Sequence, residues 1–591
     1  MTKLSRYFET HREADGTHTL VVHLDGAPLL RIAMTNKGTA FTAEERRRLR
    51  LDGLLPPHVS TMEQQIARVY AGFLREPTPL AKYQYLRQTQ ERNEVLFYAL
   101  LERHLAEMLP IVYTPTVGEA VRQFSNIYQS ARGLSFSPLN IDHAHDVAGN
   151  CLFDDIRMIV ATDSSAILGI GDQGYGGVAI SIGKLALYTT GGGVSPFRSV
   201  PVGLDVGTDR TDLIDEPNYL GVRQKRLKGQ AYLDFMDRFV DAIKARYPKA
   251  IVQWEDLSKD AAFTVHERYK SRLPSFNDDI QGTGAVSLAG VLCACKMRGD
   301  KLKDQRIVVY GAGAGGAGVA WEIVRGLVRE GLTQEEAMRR MFVLDSKGLL
   351  MAERAMEDYK RPFAKVKEDV AGWDGSPASL LDIVRCSKAT VLLGLSGQSG
   401  TFGEEVIRQM ARNTERPVVF ALSNPTSSCE AVPSDILRWT NGKALVATGS
   451  PFDAVAYDGK TYEIGQGNNA FIFPGIGFGA ILCEASEITD GMVTAAAYAL
   501  AEYTQENHLS HGRIYPPVEE LRAVSALVAA HVIQQALTDG VARLDKIEAL
   551  RGDLERTILH VKRKQWQAKY LPFARGRGVA FSVPPEIDVR E

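Results

Sequence analysis

Three groups of residues able to do chemistry lie close together in the chain: Glu255-Asp256, Asp278-Asp279, and Gly311-x-Gly313-x-x-Gly316. The first two offer carboxylates from separate segments. Hard cations such as Mg²⁺ or Mn²⁺ take several such oxygens, together with water or substrate oxygens. No His or Cys stands among them, which argues against zinc. Singly, acidic pairs are usually solvated faces or helix-start charges, but two of them running into a glycine loop outweigh that reading. In the loop the first glycine permits a tight turn, the second lets backbone approach a pyrophosphate, and the third lets helix and strand pack closely, with the anion at the helix N-terminus. A bare match is cheap in a chain with 53 glycines. Here the β-branched run 306–310 precedes the loop and the apolar run 319–324 follows it, so the setting is strand, turn, helix. A second strand, 341–344, ends in Asp345, the residue type that bonds a ribose 2′-hydroxyl.

The elements that must hold these residues read as α/β. Residues 250–252 form a strand with Glu255 and Asp256 at its carboxyl end, and Asp278 and Asp279 open the next helix. A capping box at Thr333 and Glu336 marks an inserted helical stretch that delays Asp345. The apolar runs 389–393, 417–420 and 444–447 read as three further parallel strands, whose polar ends, Asn424 among them, line a crevice. Upstream, the strand 156–161 leads through the glycine-dense segment 169–177 into an apolar helix carrying Lys184. A desolvated lysine has a lowered pKa and can act as a base; the blander reading is a snorkelling surface lysine. Helical periodicity runs from 62 to 109, after a capping box at Thr42 and Glu45, and ends at Tyr113-Thr114-Pro115. Tyr113 is left facing a cleft or packed as an ordinary aromatic. The amides Asn468 and Asn469 can bind a carboxylate or cap a helix. Residues 142–146, with two histidines and two aspartates, read as an exposed loop. A last helix covers 518–537.

Composition limits the partners. The 591 residues carry a formal charge of −2, with 24% charged and 45% hydrophobic residues. With no basic excess, neither nucleic acid nor an anionic membrane is expected. Six cysteines are too few for a disulfide framework. The N-terminal residues lack a signal-peptide core and no run reaches the length of a membrane span, so a cytoplasmic enzyme is expected.

These residues resemble the malic enzyme family, in its large form, from about Asn36 to Tyr570. The resemblance is carried by Asn36-Lys-Gly-Thr-Ala-Phe-Thr42, Val112-Tyr-Thr-Pro-Thr-Val-Gly118, Gly171-Asp172, Gly183-Lys-Leu185, Trp254-Glu-Asp256, Phe276-Asn-Asp-Asp-Ile-Gln-Gly-Thr283, Leu422-Ser-Asn-Pro-Thr426 and Gln466-Gly-Asn-Asn469. The segments 446–452 and 469–476 look most like bacterial NAD-linked members. The resemblance implies oxidative decarboxylation of L-malate to pyruvate and CO₂ with NAD⁺ or NADP⁺, Mg²⁺ or Mn²⁺, and a homo-oligomer, dimer or tetramer. Carried over by position, Glu255, Asp256 and Asp279 would be metal ligands, Lys184 the general base, Tyr113 the general acid, and Asp278 the lysine's support. Asn424 and Asn468 would touch substrate or nicotinamide, and Gly311, Gly313, Gly316 and Asp345 would hold the adenosine half.

The implied architecture is a helical N-terminal module at 1–130, an α/β substrate domain at 131–277 continued by 467–538, a Rossmann-type dinucleotide domain at 278–466, and a helical tail at 539–591. One position departs from the family. Where it carries an arginine that binds the substrate carboxylate, this chain has Ala166, so either another arginine serves or the ligand differs. Asp345 favours NAD⁺, while Lys347 and Lys360 leave NADP⁺ open. Two rival readings share the motifs: malolactic-type decarboxylation without net redox, and a non-catalytic metabolite- or nucleotide-binding relative.

Overall fold

A computed structural model of the chain describes residues 2–13, 17–167 and 169–577. The expectations that include Met1, residues 14–16, Leu168 or residues 578–591 lie, to that extent, outside the described residues. Two parallel sheets position the site, as the α/β reading requires. The first has five strands in the order Leu134–Phe136, Ser199–Leu204, Met158–Thr162, Ile251–Trp254, Ser275–Asn277, all parallel. Strand Met158–Thr162 lies between the strand that follows it in the chain and one that comes much later. The order reverses there, and its carboxyl end opens on a crevice. Strand Ile251–Trp254 is buried throughout, as expected of a parallel strand covered on both faces. Trp254 anchors it, packing edge-on to Phe239 at 6.2 Å and tilted against Tyr269 at 6.1 Å.

The second sheet has seven strands in the order Gly348–Leu349, Met341–Asp345, Ile307–Tyr310, Val391–Gly394, Val418–Ala421, Leu445–Thr448, Gly465–Gln466. All neighbours are parallel except the edge strand Gly348–Leu349. Its order reverses between Ile307–Tyr310 and Val391–Gly394, the place where dinucleotide folds split a cofactor into halves. Residues 278–298 are long and apolar enough to cross a membrane, with mean hydropathy 1.3, but 83% of that stretch is packed inside the protein. The segment is the helix joining the two sheets.

Two regions depart from the sequence reading. Residues 20–24 read as a lone short strand ahead of a helical module, but Thr2–Lys3, Phe8–Arg12 and His18–Val22 form an antiparallel sheet ahead of the helices Met62–Arg75, Pro79–Arg92, Glu94–Arg103 and Leu105–Val112. That sheet is completed by Phe573–Arg575, parallel to His18–Val22, so a strand follows helix Leu554–Lys564. A pairing partner some 550 residues away leaves no local signal. Residues 142–146 are helical rather than a loop, in Ile141–His143 and Ala144–Gly149. Ala144, Val147 and Ala148 fall at helical spacing and pack into the core beside helix Gly229–Arg246, while both histidines stay exposed.

Glu322, on the helix Ala314–Arg329 that follows the glycine loop, is buried at 1% exposure. It accepts from Thr494 Oγ1 at 2.5 Å and Arg325 Nη1 at 2.9 Å, tying that helix to Asp490–Asn507. Burial raises its pKa against the pull of Arg325. A carboxyl whose folded pKa exceeds its unfolded one stabilises the protein below the unfolded value, and that contribution is lost as pH rises through the folded one. Glutamine keeps the acceptor for Thr494 and does not titrate. The Tm of Glu322→Gln relative to wild type should therefore climb between pH 5 and pH 8, as measured by scanning calorimetry; a difference independent of pH would contradict the assignment.

Candidate active site

Lys184 sits on the all-buried helix Val178–Leu187 at 1% exposure. Its neighbour must be glycine, because a Cβ on Gly183 would lie 2.7 Å from the carbonyl oxygen of Val112, and this close approach sets the lysine beside Tyr113. The Lys184 ammonium donates to Asp278 Oδ2, lies 3.0 Å from Glu255 Oε1, and stands over the rings of Phe473 at 4.4 Å and Tyr113 at 5.3 Å. The expectation that burial lowers this lysine's pKa is overturned. Desolvation does pull it down, but Asp278 and Glu255 outweigh that and hold the pKa well above the ordinary lysine value. Tyr113 closes the helix Leu105–Val112 and is buried at 4%. Burial raises its phenol's pKa against the opposing pull of Lys184, so the hydroxyl stays protonated.

Each carboxylate is held by its own device. Glu255 accepts from Gln253 Nε2 at 2.7 Å, and Gln253 Oε1 in turn accepts from Tyr188 at 2.5 Å. Asp256 takes left-handed backbone geometry, φ 52°, which turns the chain at the strand end; its N–H donates to Asp279 Oδ2 at 2.9 Å. Asp278 and Asp279 open a π-helical turn, Asp278–Gly282, whose start is capped by the Asn277 side chain accepting from Ile280 N at 2.9 Å. One oxygen from each of Glu255, Asp256 and Asp279 falls within 4.8 Å of the others. Burial, with repulsion from Asp279 and Asp278, pushes Glu255 up to about 8 although Lys184 opposes it. Burial and Asp278 push Asp279 up to about 6. Three converging carboxylate oxygens without His or Cys form a donor set that fits a hard divalent cation.

Of the two amides, Asn468 turns back to accept from Ala470 N at 2.9 Å, capping the turn Asn469–Phe471. It is Asn469 that reaches the cluster, donating to Asp278 Oδ2 at 3.0 Å and backbone O at 3.2 Å. Asn469 was one of two amides read as carboxylate binders or helix caps, whereas Gln253 and Tyr188 were not singled out in the sequence. Ala166 lies on the crevice, its N–H donating to Asp256 O at 3.0 Å. A half-buried arginine, Arg226, occurs further on, but its guanidinium is committed to both oxygens of Asp172 and to Asp163 O.

The glycine loop follows strand Ile307–Tyr310 directly. Gly311 has φ 117°, and a Cβ on Gly316 would fall 1.6 Å from Gly311 O, whereas one on Gly313 would meet nothing within 4 Å. That open side, at the start of helix Ala314–Arg329, is where an anion fits. Asp345 ends its strand as expected, but it is engaged by Arg354 Nη2 at 2.6 Å as well as by Lys360 Nζ at 3.7 Å. Arg354 was missed because it lies nine positions beyond its partner, past the edge strand Gly348–Leu349, with no local pattern to link them. Lys347 donates only its backbone N–H to Asp345 and is exposed. Asn424 follows strand Val418–Ala421, with Oδ1 accepting from Ser450 Oγ at 2.6 Å.

A dinucleotide-type sheet joined through one turn to a buried lysine–carboxylate centre defines an α/β oxidoreductase. The model described as "Malic enzyme, N-terminal domain" matches residues 90–270, and "Malic enzyme, NAD binding domain" matches 280–537. The NAD-dependent malic enzyme of Pseudomonas syringae pv. tomato is 45% identical over 543 residues, 91% of this chain and 96% of that protein. That of Photorhabdus laumondii is 44% identical over 566 residues, 95% and 99% of the two chains. Among solved structures, the Entamoeba histolytica malic enzyme shares the fold, with a TM-score of 0.54 at 23% identity over 87% of this chain and 92% of that one. The chain belongs to the malic enzyme family.

The contrast between the two glycines is testable. Gly313→Ala should leave Tm unchanged while weakening dinucleotide binding by about tenfold or more, read by calorimetric titration. Gly316→Ala should lower Tm through the clash with Gly311. Equal behaviour of the two variants would remove Gly313 from the anion cradle.

Proposed function

We propose that this enzyme converts L-malate to pyruvate and CO₂, reducing NAD⁺ and accepting NADP⁺ less well, with Mg²⁺ or Mn²⁺ at Glu255, Asp256 and Asp279. The observation that carries the reading is Lys184 buried between Asp278 and Glu255, with three carboxylate oxygens converging beside it. When bound, the metal supplies Lewis-acid polarisation and the dinucleotide accepts a hydride. Lys184 rests as an ammonium, so it first gives up a proton to water; its neutral Nζ then takes the proton of the substrate's C2 hydroxyl, and Asp278 and Glu255 stabilise the ammonium that forms again. Asn469 keeps Asp278 aimed at the lysine. Tyr113, held protonated by burial, returns a proton at C3 after CO₂ leaves. Gly311, Gly313, Gly316 and Asp345 hold the adenosine half, Asn424 faces the nicotinamide half, and Asn468 orders the loop on the substrate side.

The division at 130, 277, 466 and 538 suits this reading, since helix Phe473–Cys483 packs back against strand Ile251–Trp254 after the second sheet is complete. A homo-oligomer in the cytoplasm goes with it, on the likeness to the bacterial enzymes.

Lys184→Ala should cut malate oxidation by about 10²–10⁴-fold, the usual contribution of a general base, with dinucleotide affinity retained. Asp279→Ala should lose Mn²⁺ binding, seen by electron paramagnetic resonance, together with activity. A Lys184→Ala enzyme within about tenfold of wild type would end the base assignment.

Cofactor choice turns on the pairing at Asp345. A carboxylate bonded to Arg354 and approached by Lys360 still accepts a ribose hydroxyl and repels a 2′-phosphate. Wild type should show the higher kcat/KM with NAD⁺, and Lys347→Ala/Lys360→Ala should lower kcat/KM with NADP⁺ more than with NAD⁺. A wild-type preference for NADP⁺ that the double variant loses would mean that the lysines, not Asp345, decide.

A further inference from the structure

Glu430 is a carboxylate at 0% exposure to which, among the described residues, no lysine or arginine is paired. Its Oε1 accepts from Ser396 N at 2.8 Å, Ser396 Oγ at 2.9 Å and Ser423 Oγ at 2.5 Å, and Ser423 N lies 3.4 Å from Oε2. The two serines come just after the adjacent strands Val391–Gly394 and Val418–Ala421, and Ser423 Oγ also accepts from Gly397 N at 2.9 Å. One buried side chain therefore knots two strand-end loops together. Gly394 makes room for it, since a Cβ there would lie 2.6 Å from Glu430 Cδ. The knot reaches the phosphate loop on one side: a Cβ on Gly311 would come within 2.4 Å of Leu395 O and 2.7 Å of Ser396 N. On the other side it fixes the residue before Asn424.

In a doubly wound sheet the adenosine half lies over the strands on one side of the switch point, here the side of Asp345. The nicotinamide half lies over the other, which makes Leu395–Gly397 and Ser423–Asn424 the loops beneath the ring.

We propose that Glu430 is a positioning residue for the nicotinamide half, holding the loops at Ser396 and Ser423 in place from below. The proposal rests on the dinucleotide reading above and extends it to a residue that touches neither substrate nor metal ligands.

The test is equilibrium binding of NAD⁺, NADH and ADP-ribose to wild type and to Glu430→Ala, which removes the acceptor shared by the serines. NAD⁺ and NADH should both weaken by about tenfold, with ADP-ribose unchanged. Affinities for NAD⁺ and NADH within about twofold of wild type overturn the positioning role, and loss of ADP-ribose in parallel shows a general structural role instead. Ser396→Ala is the second variant should the first not fold. It loosens one anchor, so NAD⁺ and NADH should weaken by similar factors and ADP-ribose should not; unchanged affinities overturn the positioning role. Wild type that binds no dinucleotide overturns the functional reading along with this one, whereas each result above concerns Glu430 alone.

Discussion

Everything in the site follows from placing one ammonium group out of water between two carboxylates. A lone buried lysine would shed its proton, and lone buried carboxylates would take one up. Lys184 keeps its charge because Asp278 and Glu255 flank it closely enough to outweigh its desolvation. The partners come from three elements: the helix Val178–Leu187, the end of strand Ile251–Trp254 and the turn after Ser275–Asn277. The parallel register of the five-stranded sheet thus sets the charge spacing. Shifting one strand by a residue would send its side chains to the opposite face and leave an uncompensated charge inside.

The same turn couples the two sheets. Asp278–Gly282 carries site residues at its start and runs into the buried helix Thr283–Arg298, and the helix after the glycine loop lies directly against it. A Cβ on Gly318 would fall 2.1 Å from Ile280 O, so that helix approaches backbone to backbone with the segment bearing Asp279. A rigid contact of this kind lets the glycine loop and the three converging carboxylates be positioned by one piece of structure.

How far the sequence could be read depended on the range of the cause. The strands at Ile307–Tyr310 and Ile251–Trp254, the capping boxes at Thr42 and Thr333, and the glycine loop are decided within a few residues, and they are legible. The protonation tendency of Lys184 is not, because burial and two carboxylates compete and the winner depends on an ion pair spanning 94 residues. Nor is the exchange of roles between Asn468 and Asn469, which hinges on which amide faces inward at a tight turn. Arg354 and the strand Phe573–Arg575 were hidden for the same reason: each owes its place to a partner that no local pattern announces.

The position that departs from the family can be placed on the same physical footing. Ser164 and Asp256, both with left-handed φ near 60° and 52°, turn the chain at neighbouring strand ends, and the N–H of Ala166 donates to Asp256 O. Side chains rarely adopt that conformation at no cost, so the surrounding hydrogen bonds must hold it. Ser258 N to Ser165 Oγ at 2.6 Å and Ser165 Oγ to Asp163 at 2.5 Å are two of them. None of these contacts uses the side chain of residue 166. The crevice backbone is therefore set independently of what that residue carries, and replacing a cation with a methyl group alters the charge met by a bound carboxylate while leaving Glu255, Asp256 and Asp279 where they are. The fold of the family and the convergence of the three carboxylates are therefore compatible with an alanine at this position.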